Sequence, residues 1–340
     1  MACVAAVSDL HLGIGIFSDD EDHRLTTLKK AVQIGAEHDL LLVPANLFAI
    51  KRAPSRKLIS HAVAILEKSP VPVIINSSSE ENFYNSLELP ENIHAFSGQG
   101  EFTSKGNLYS INCVSADEPA KLATIQKSSE GKHLVLVKTS FDPLATGLNP
   151  SLIKKLDHDF YFFGGRNEFR VFRYTGTIFG LFPGAAEPAS LSHTGDTYAV
   201  SVTFSPSDPV SLKRYTINTI RIATFEKQSA DREWLEDIIS KVDSSTVVCI
   251  RTANPLHESL ADTITALHAQ VFKLFIVNPG KDLFFDRADA CADASVRSQI
   301  LRMIANAGDE LDYAFLDEMI SFFDKEKSFP REVLCDYLNA

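Results

Sequence analysis

The sequence predicts an α/β protein, and three observations predict it. Over roughly the first 90 residues, short apolar runs of strand length alternate with segments of helical spacing, the order that builds a parallel sheet. From residue 93 the runs come closer together with turns between them, and this half reads as more antiparallel, as in a two-sheet sandwich. After a proline and serine cluster, "SPSDPVSLKR" at 205 to 214, a compact β-α-β-α-β order follows.

Each element has its own signal. The chain opens on a short apolar strand that runs into "VSDLHLGIG", so that Asp9 and His11 stand two apart just past a strand end. That is how a metal site often begins. "DDEDHRLTTLKKAVQIGAEHD" has acidic residues at its head and Leu25, Leu28, Val32 and Ile34 close to one helical face. "LLLVPANLF" reads as a buried strand, "RKLISHAVAILEKS" as a helix and "VPVIIN" as another strand. "IHAFSG", "NLYSINCV", "HLVLVKT", "DFYFFGG", "FRVFRYTGTIFG" and "TYAVSVTF" supply the sandwich. "YTINTIRIATF", "DREWLEDIISKV", "STVVCIRT", "HESLADTITALHAQ" and "VFKLFIVN" make a small second domain. The tail from Ala294 to Ala340 returns to helical spacing, with an apolar stripe around Phe315, Met319 and Phe323. The predicted division is therefore 1–205, 214–280 and 294–340.

Composition narrows the function classes. A chain of 340 residues with 45% hydrophobic and 23% charged residues reads as an ordinary soluble protein of roughly two domains. No apolar run reaches the roughly 18 to 20 residues of a bilayer span, and the N-terminus lacks a signal peptide's basic flank and cleavage site, so the expectation is a cytoplasmic protein without a membrane role. The five cysteines, Cys3, Cys113, Cys249, Cys291 and Cys335, show no C-x-x-C spacing, which argues for reduced thiols and against structural zinc. A net charge of −11 repels a phosphate backbone over most of the surface. Lys51-Arg52 with Arg56-Lys57 reads as solvated surface, so contact with DNA would come through a complex.

In chain order, "SDLHLG", "LLLVPANLF", "VPVIINSSSE", "HLVLVKT", "DFYFFGGRNEF" and "FPGAAEP" resemble the anchors of the calcineurin-like metallophosphoesterases, and most closely the SbcD-like DNA repair exonuclease branch. The resemblance covers essentially the whole chain. It implies a metallophosphoesterase sandwich, a small α/β capping domain and C-terminal helices. It also implies two divalent metals bound by carboxylate, imidazole and amide ligands that activate a water, an SMC-like ATPase partner docked through the C-terminal helices, and a homodimer.

The ligand set departs from the family pattern at every motif after the first. Asp9 and His11 match. Ala45-Asn46 stands where the family has Gly-Asp, so the bridging carboxylate is a neutral amide. Ser77, Ser78, Ser79 and Glu80 replace Gly-Asn-His-Asp or Glu, which removes an amide ligand and the histidine suited to stabilising phosphoryl charge. Lys138 ends the strand that should end in a metal histidine, and Gly164-Gly165-Arg166-Asn167 replaces Gly-His-x-His. His133 and His158 fall at the wrong ends of their strands to substitute. A residual metal site would consist of Asp9, His11 and Asn46.

Lys138 and Arg166 project toward the volume where metals would sit. The favoured reading is that one of them pairs with Asp9, because a buried carboxylate requires a partner; the other is that they bind a phosphate. The functional expectation is a non-catalytic interaction or scaffold subunit without a cofactor. Two alternatives stand beside it: an active phosphodiesterase or nuclease with a rebuilt centre holding Mn or Zn, and a phosphate-ligand-binding protein.

Overall fold

The computed structural model describes residues 1–13, 21–49, 54–115, 125, 130–139, 158–188, 195–205, 207–254, 256–277 and 283–284. The chain forms two compact units whose main division falls between Ile222 and Ala223.

The first unit is an α/β sandwich of two six-stranded sheets. In the first sheet, β1 (Ala2–Ala6), β2 (Leu40–Val43), β3 (Val73–Asn76) and β4 (Ile93–Phe96) lie in parallel, as the alternation with α1 (Glu21–Ala36) and α2 (Arg56–Leu66) predicts. Antiparallel β11 (Tyr198–Phe204) and β12 (Ser211–Thr216) complete it beside β1. The second sheet runs in the order β5 (Gly98–Ser104), β6 (Asn107–Ser115), β7 (Lys132–Lys138), β8 (Phe160–Gly164), β10 (Thr177–Phe182), β9 (Arg170–Tyr174).

Period-2 patterning builds the layers. Val4, Ala6, Leu40, Leu42 and Ile74 of the first sheet face Ile111, Leu134, Leu136, Phe160 and Phe162 of the second in one core. The alternate residues Ala5, Val7, Leu41, Val43 and Val73 pack on Leu25, Leu28 and Ala31 of α1 and on Leu58, Ala62 and Ile65 of α2. Ser55 caps α2 by accepting the Leu58 N–H, which starts that helix, and a short α3 (Glu81–Asn85) follows β3.

Two expectations are corrected. The second sheet is antiparallel only at its margins, because β6, β7, β8 and β10 pair in parallel. The reason was present in the residues: Leu134 and Leu136 face one core while Val135 and Val137 face another with Tyr161 and Phe163, so these strands are buried on both faces, as parallel strands are. The proline and serine cluster is the turn between β11 and β12 rather than a boundary, and β12 belongs to the first sheet, so the expected limits at 205 and 214 fall short of the division at Ile222. The same residue types mark a hairpin turn as readily as a linker.

The second unit carries the expected order of β13 (Arg221–Lys227), α4 (Arg232–Lys241), β14 (Thr246–Thr252), α5 (Ala261–Gln270) and β15 (Lys273–Val277), with β16 (Leu283–Phe284) beside β15. Asp231 caps α4 through the Trp234 N–H, and Leu235 and Ile238 of α4 pack with Ile264 and Leu267 of α5 on Val248, Ile250 and Leu274. The expected helices at 294–340 lie outside the described residues. No helix among the described residues is long and apolar enough to cross a membrane.

Candidate functional site

The candidate site forms where the chain leaves the ends of β1, β2, β7 and β8. Beyond β1 and β2 the two loops continue side by side: the Asp9 N–H donates to the Ala45 carbonyl, His11 to Asn46 and Leu12 to Leu47, each at 2.9–3.0 Å. The turn after β10 joins them, with the Ala186 N–H donating to the Ser8 carbonyl at 2.9 Å. Holding these loops together puts three non-glycine residues in the left-handed region, Asp9 at φ 54°, His11 at 47° and Asn46 at 48°. Such backbone costs about 1–3 kcal/mol per residue and persists where its surroundings enforce it.

Glycines let β8 approach. A Cβ on Gly164 would lie 2.5 Å from Ser8 Oγ and 2.6 Å from the Ala45 side chain. Gly165 has φ +104°, and a Cβ there would lie 2.3 Å from the Thr139 carbonyl oxygen. With no side chain in the way, the Gly165 N–H donates to Asp9 Oδ2 at 2.8 Å.

Asp9 is 1% exposed and both its oxygens are engaged. Oδ2 accepts from Ser8 Oγ at 2.7 Å and from Gly165, and Oδ1 accepts from Asn46 Nδ2 at 2.6 Å. Burial pushes its carboxyl up to about 6, with the three hydrogen bonds and the Lys138 charge opposing that rise. His11 Nε2 lies 3.7 Å from Asp9 Oδ1. Burial, together with the Arg24 and Lys138 charges, depresses the imidazole to about 4, so His11 is neutral at pH 7 and offers Asp9 no counter-charge.

The expected cation does not pair with Asp9. Lys138 is in register with Gly164 across β7 and β8, but its ammonium pairs with Glu80 Oε1, so it acts on Asp9 only through the field. The acid left standing in "SSSE" is closer to Lys138 and captures it. Among the described residues the buried Glu80 Oε2, Ser78 Oγ and Tyr84 OH find no hydrogen-bond partner, and burial with the Glu80 charge raises the Tyr84 phenol well above its ordinary value.

Asp9, His11, Asn46 and Gly165 thus meet, Asp9 and Asn46 each a few residues past the ends of the adjacent parallel strands β1 and β2. Ser79 and Asn167 are exposed, and Asn167 enters only through its carbonyl, which accepts the Ala185 N–H at 3.1 Å. Arg166 is half-buried. His133 and His158 are spent on each other, Nδ1 to Nδ1 at 2.7 Å, with Asn112 on His133 Nε2 at 2.8 Å.

Sequence reasoning missed Ser8, Asn76 and the Arg24–Glu187 cluster. Asn76 donates to the Val114 and Leu136 carbonyls at 3.0 Å, tying the first sheet to the second. Arg24 donates to the Leu10 carbonyl at 2.5 Å, directly behind His11, and to the Pro188 carbonyl at 3.3 Å. Burial lowers its guanidinium to about 10 while the Glu187 charge opposes. Glu187, which is fully buried, accepts from Thr27 and from the N–H and Oγ1 of Thr219 at 2.8 and 2.9 Å. The turn in "FPGAAEP" buries the Glu187 carboxyl, and burial raises it above its ordinary value while the hydrogen bonds from Thr27 and Thr219 and the Arg24 charge oppose that rise.

These residues do not fit a pair of divalent metals. A ligand carboxylate must direct a lone pair at the ion, and Asp9's oxygens already accept three donors, one of them the Asn46 amide that would have to present oxygen instead. Among the described residues no group of three or more His, Cys, Asp and Glu side chains is placed to hold a metal.

No family model matches the chain, and no curated protein matches it by sequence. Among solved structures it is similar to GAP50, the anchor in the inner membrane complex of Plasmodium, at 11% identity over 63% of this chain and 84% of that one, with a TM-score of 0.42. It is also similar to the Thermotoga maritima protein TM1076 at 13% identity over 64% and 99%, TM-score 0.30. Vps29 of Chaetomium thermophilum stands at 14% over 64% and 99%, TM-score 0.27. Likeness at this level leaves function to be argued from the chain's own residues.

Proposed function

We propose that this chain is a phosphoesterase-fold protein of the SbcD-like kind whose metal centre has been rebuilt as a metal-free polar cluster, and that it works as an interaction or scaffold subunit rather than as a hydrolase. One observation carries the reading: the residues at the ligand positions are bonded to one another, Asp9 to Asn46, Ser8 and Gly165, and Lys138 to Glu80. Two-metal hydrolysis needs a carboxylate shared by both ions and a water held at low pKa between them. Here the amide of Asn46 locks the shared position to Asp9. The proposed partner is an SMC-like ATPase engaged through the tail at 294–340, with DNA met through that complex; this part rests on the resemblance alone.

The purified protein is tested with Mn and Zn by metal analysis and with bis-nitrophenyl phosphate and single-stranded DNA as substrates. The expected result is no stoichiometric metal and no hydrolysis above that of an Asp9→Ala control, with Asn46→Asp alone restoring none. Metal-dependent turnover that disappears in Asp9→Ala would replace this reading with an active phosphodiesterase. Thermal stabilisation by nucleotides without turnover, lost in Lys138→Met, would replace it with a phosphate-binding protein.

A further inference from the structure

Between β3 and β4 the chain makes an excursion that is fixed at both ends by asparagine. Asn76, buried at the end of β3, donates its amide to the Val114 and Leu136 carbonyls at 3.0 Å and accepts the Ser78 N–H at 3.1 Å. Asn92, just before β4, donates to the Leu66, Glu67 and Ser69 carbonyls at 3.1–3.3 Å, which pins it to the end of α2.

The residues between these clamps are tied mostly to one another. The Glu80 N–H donates to the Ser77 carbonyl, Phe83 and Tyr84 to Glu80, Ser86 to Phe83 and Leu87 to Tyr84, all of them local bonds. α3 has no side-chain cap, and a helix of its length does not hold itself. Among the described residues, the polar link from 78–91 to the rest of the molecule, beyond the Ser78 N–H on Asn76, is the pairing of Glu80 with Lys138. Apolar contact adds to it: the Phe83 and Tyr84 rings lie 5.5 and 6.4 Å from that of Phe48, and Leu87 and Leu89 rest partly buried on the same core.

The closed position has a cost. Ser78 Oγ, Glu80 Oε2 and Tyr84 OH are shielded from solvent and find no hydrogen-bond partner among the described residues. A polar atom buried in this way forfeits the bond it would make to water, so all three favour release of the segment. Glu80 divides between the two tendencies, with Oε1 on Lys138 and Oε2 on nothing.

We propose that residues 78–91 form a latched strap beside the candidate site, which swings open as a unit about Asn76 and Asn92 when Glu80 parts from Lys138. The latch lysine is in register with Gly164, and the next residue, Gly165, donates to Asp9. Opening therefore bares the Lys138 ammonium at the margin of the Asp9 cluster, while the two clamps keep the ends of the strap in place. The exposed turn gains water for its three unpaired atoms and gives up the Phe48 contacts, and the balance of the two sets how often it opens.

Native-state hydrogen exchange of the full-length protein, read amide by amide by NMR in low urea, tests this. The amides of Phe83, Tyr84, Ser86 and Leu87 are expected to exchange together and at least about 100-fold faster than those of β3. Lys138→Met leaves the Glu80 carboxylate without its partner and should speed the strap at least about ten-fold, with β3 and α2 unchanged. Tyr84→Phe and Ser78→Ala each delete an unpaired buried atom and should slow it about three-fold or more. Strap amides that exchange only together with β3, a Lys138→Met strap no faster than wild type, or deletions that leave the strap as fast as wild type or faster would each overturn the proposal. Should Lys138→Met fail to fold, the wild-type exchange and the two deletions decide.

Discussion

The two ends of β1 each bury an aspartate that accepts three hydrogen bonds, yet they are built on different backbones. At the end where the strand begins, Asp39 Oδ2 takes the Cys3 N–H, the Asn107 amide and the Tyr109 hydroxyl. At the end where it stops, Asp9 takes Ser8, Asn46 and the Gly165 N–H, and three residues there, Asp9, His11 and Asn46, stand in left-handed backbone. The other non-glycine residues in that region among those described, Lys105 and Thr175, each precede a glycine in the turn of a hairpin, β5–β6 or β9–β10, where positive φ is the normal requirement. No hairpin explains the three at the site. Strain concentrates at one end of the strand, the end that carries the candidate site, and such backbone persists only where its surroundings enforce it.

The largest effect should come from breaking the close approach that supports this strain. Gly165→Ala combines φ +104° with a Cβ 2.3 Å from the Thr139 carbonyl oxygen, and is expected to cost about 3 kcal/mol or more in urea unfolding. Gly35→Ala, in α1 near the other end, brings its Cβ to 3.1 Å from Leu41 Cβ at ordinary helical φ and should change stability by less than about 1 kcal/mol. Equal losses for the two would remove the contrast.

A smaller and opposite effect separates the aspartates. Burial raises Asp9 from 3.8 to about 6, which corresponds to a disadvantage of about 3 kcal/mol for the ionised form at neutral pH. Asp9→Asn keeps an oxygen for Ser8 and Gly165, and the Asn46 amide can turn over to accept from the new NH2. The variant should gain about 1–3 kcal/mol at pH 7.5. Asp39→Asn weakens three bonds to one oxygen, so it should lose about 1 kcal/mol. Destabilisation of both proteins in parallel unfolding titrations would mean that Asp9 is held as a favourable anion after all.

The subtlest test is the pH dependence of stability. A raised carboxyl favours the folded state below pH 3.8 and loses that contribution as pH climbs through about 6. A depressed imidazole does the reverse: its contribution is present above 6.5 and is lost as pH falls toward about 4. In wild type the two slopes oppose each other between pH 4 and 6, with His11 the weaker because its side chain is 24% exposed. His11→Gln should therefore steepen the loss of stability from pH 5 to 7, and Asp9→Asn should turn it into a gain. Superimposable profiles for the three proteins would show that neither group titrates in the folded state over that range.

The sequence by itself determined what depends on neighbours along the chain. Leu40–Val43 is apolar at every position and was legible as a buried strand, bounded by helical segments on both sides. Asp9, His11 and Asn46 were legible as one site because each follows its strand by a few residues, and parallel pairing of adjacent strands must carry such residues to the same edge. Tertiary structure decided what depends on distance between segments far apart. Lys138 met Glu80 across 58 positions rather than Asp9, although both carboxylates were on the page, because the two are separated by ångströms that no spacing rule encodes. Asn46 looked like a missing charge and proved to be a donor to Asp9. Glu187 was only one letter of an anchor motif in the sequence and proved to be a buried carboxyl held by Thr27 and Thr219. Periodicity specifies which face of an element is buried, whereas the pairing of polar groups inside is chosen only once the packed sheets fix which donors lie within about 3 Å of which acceptors.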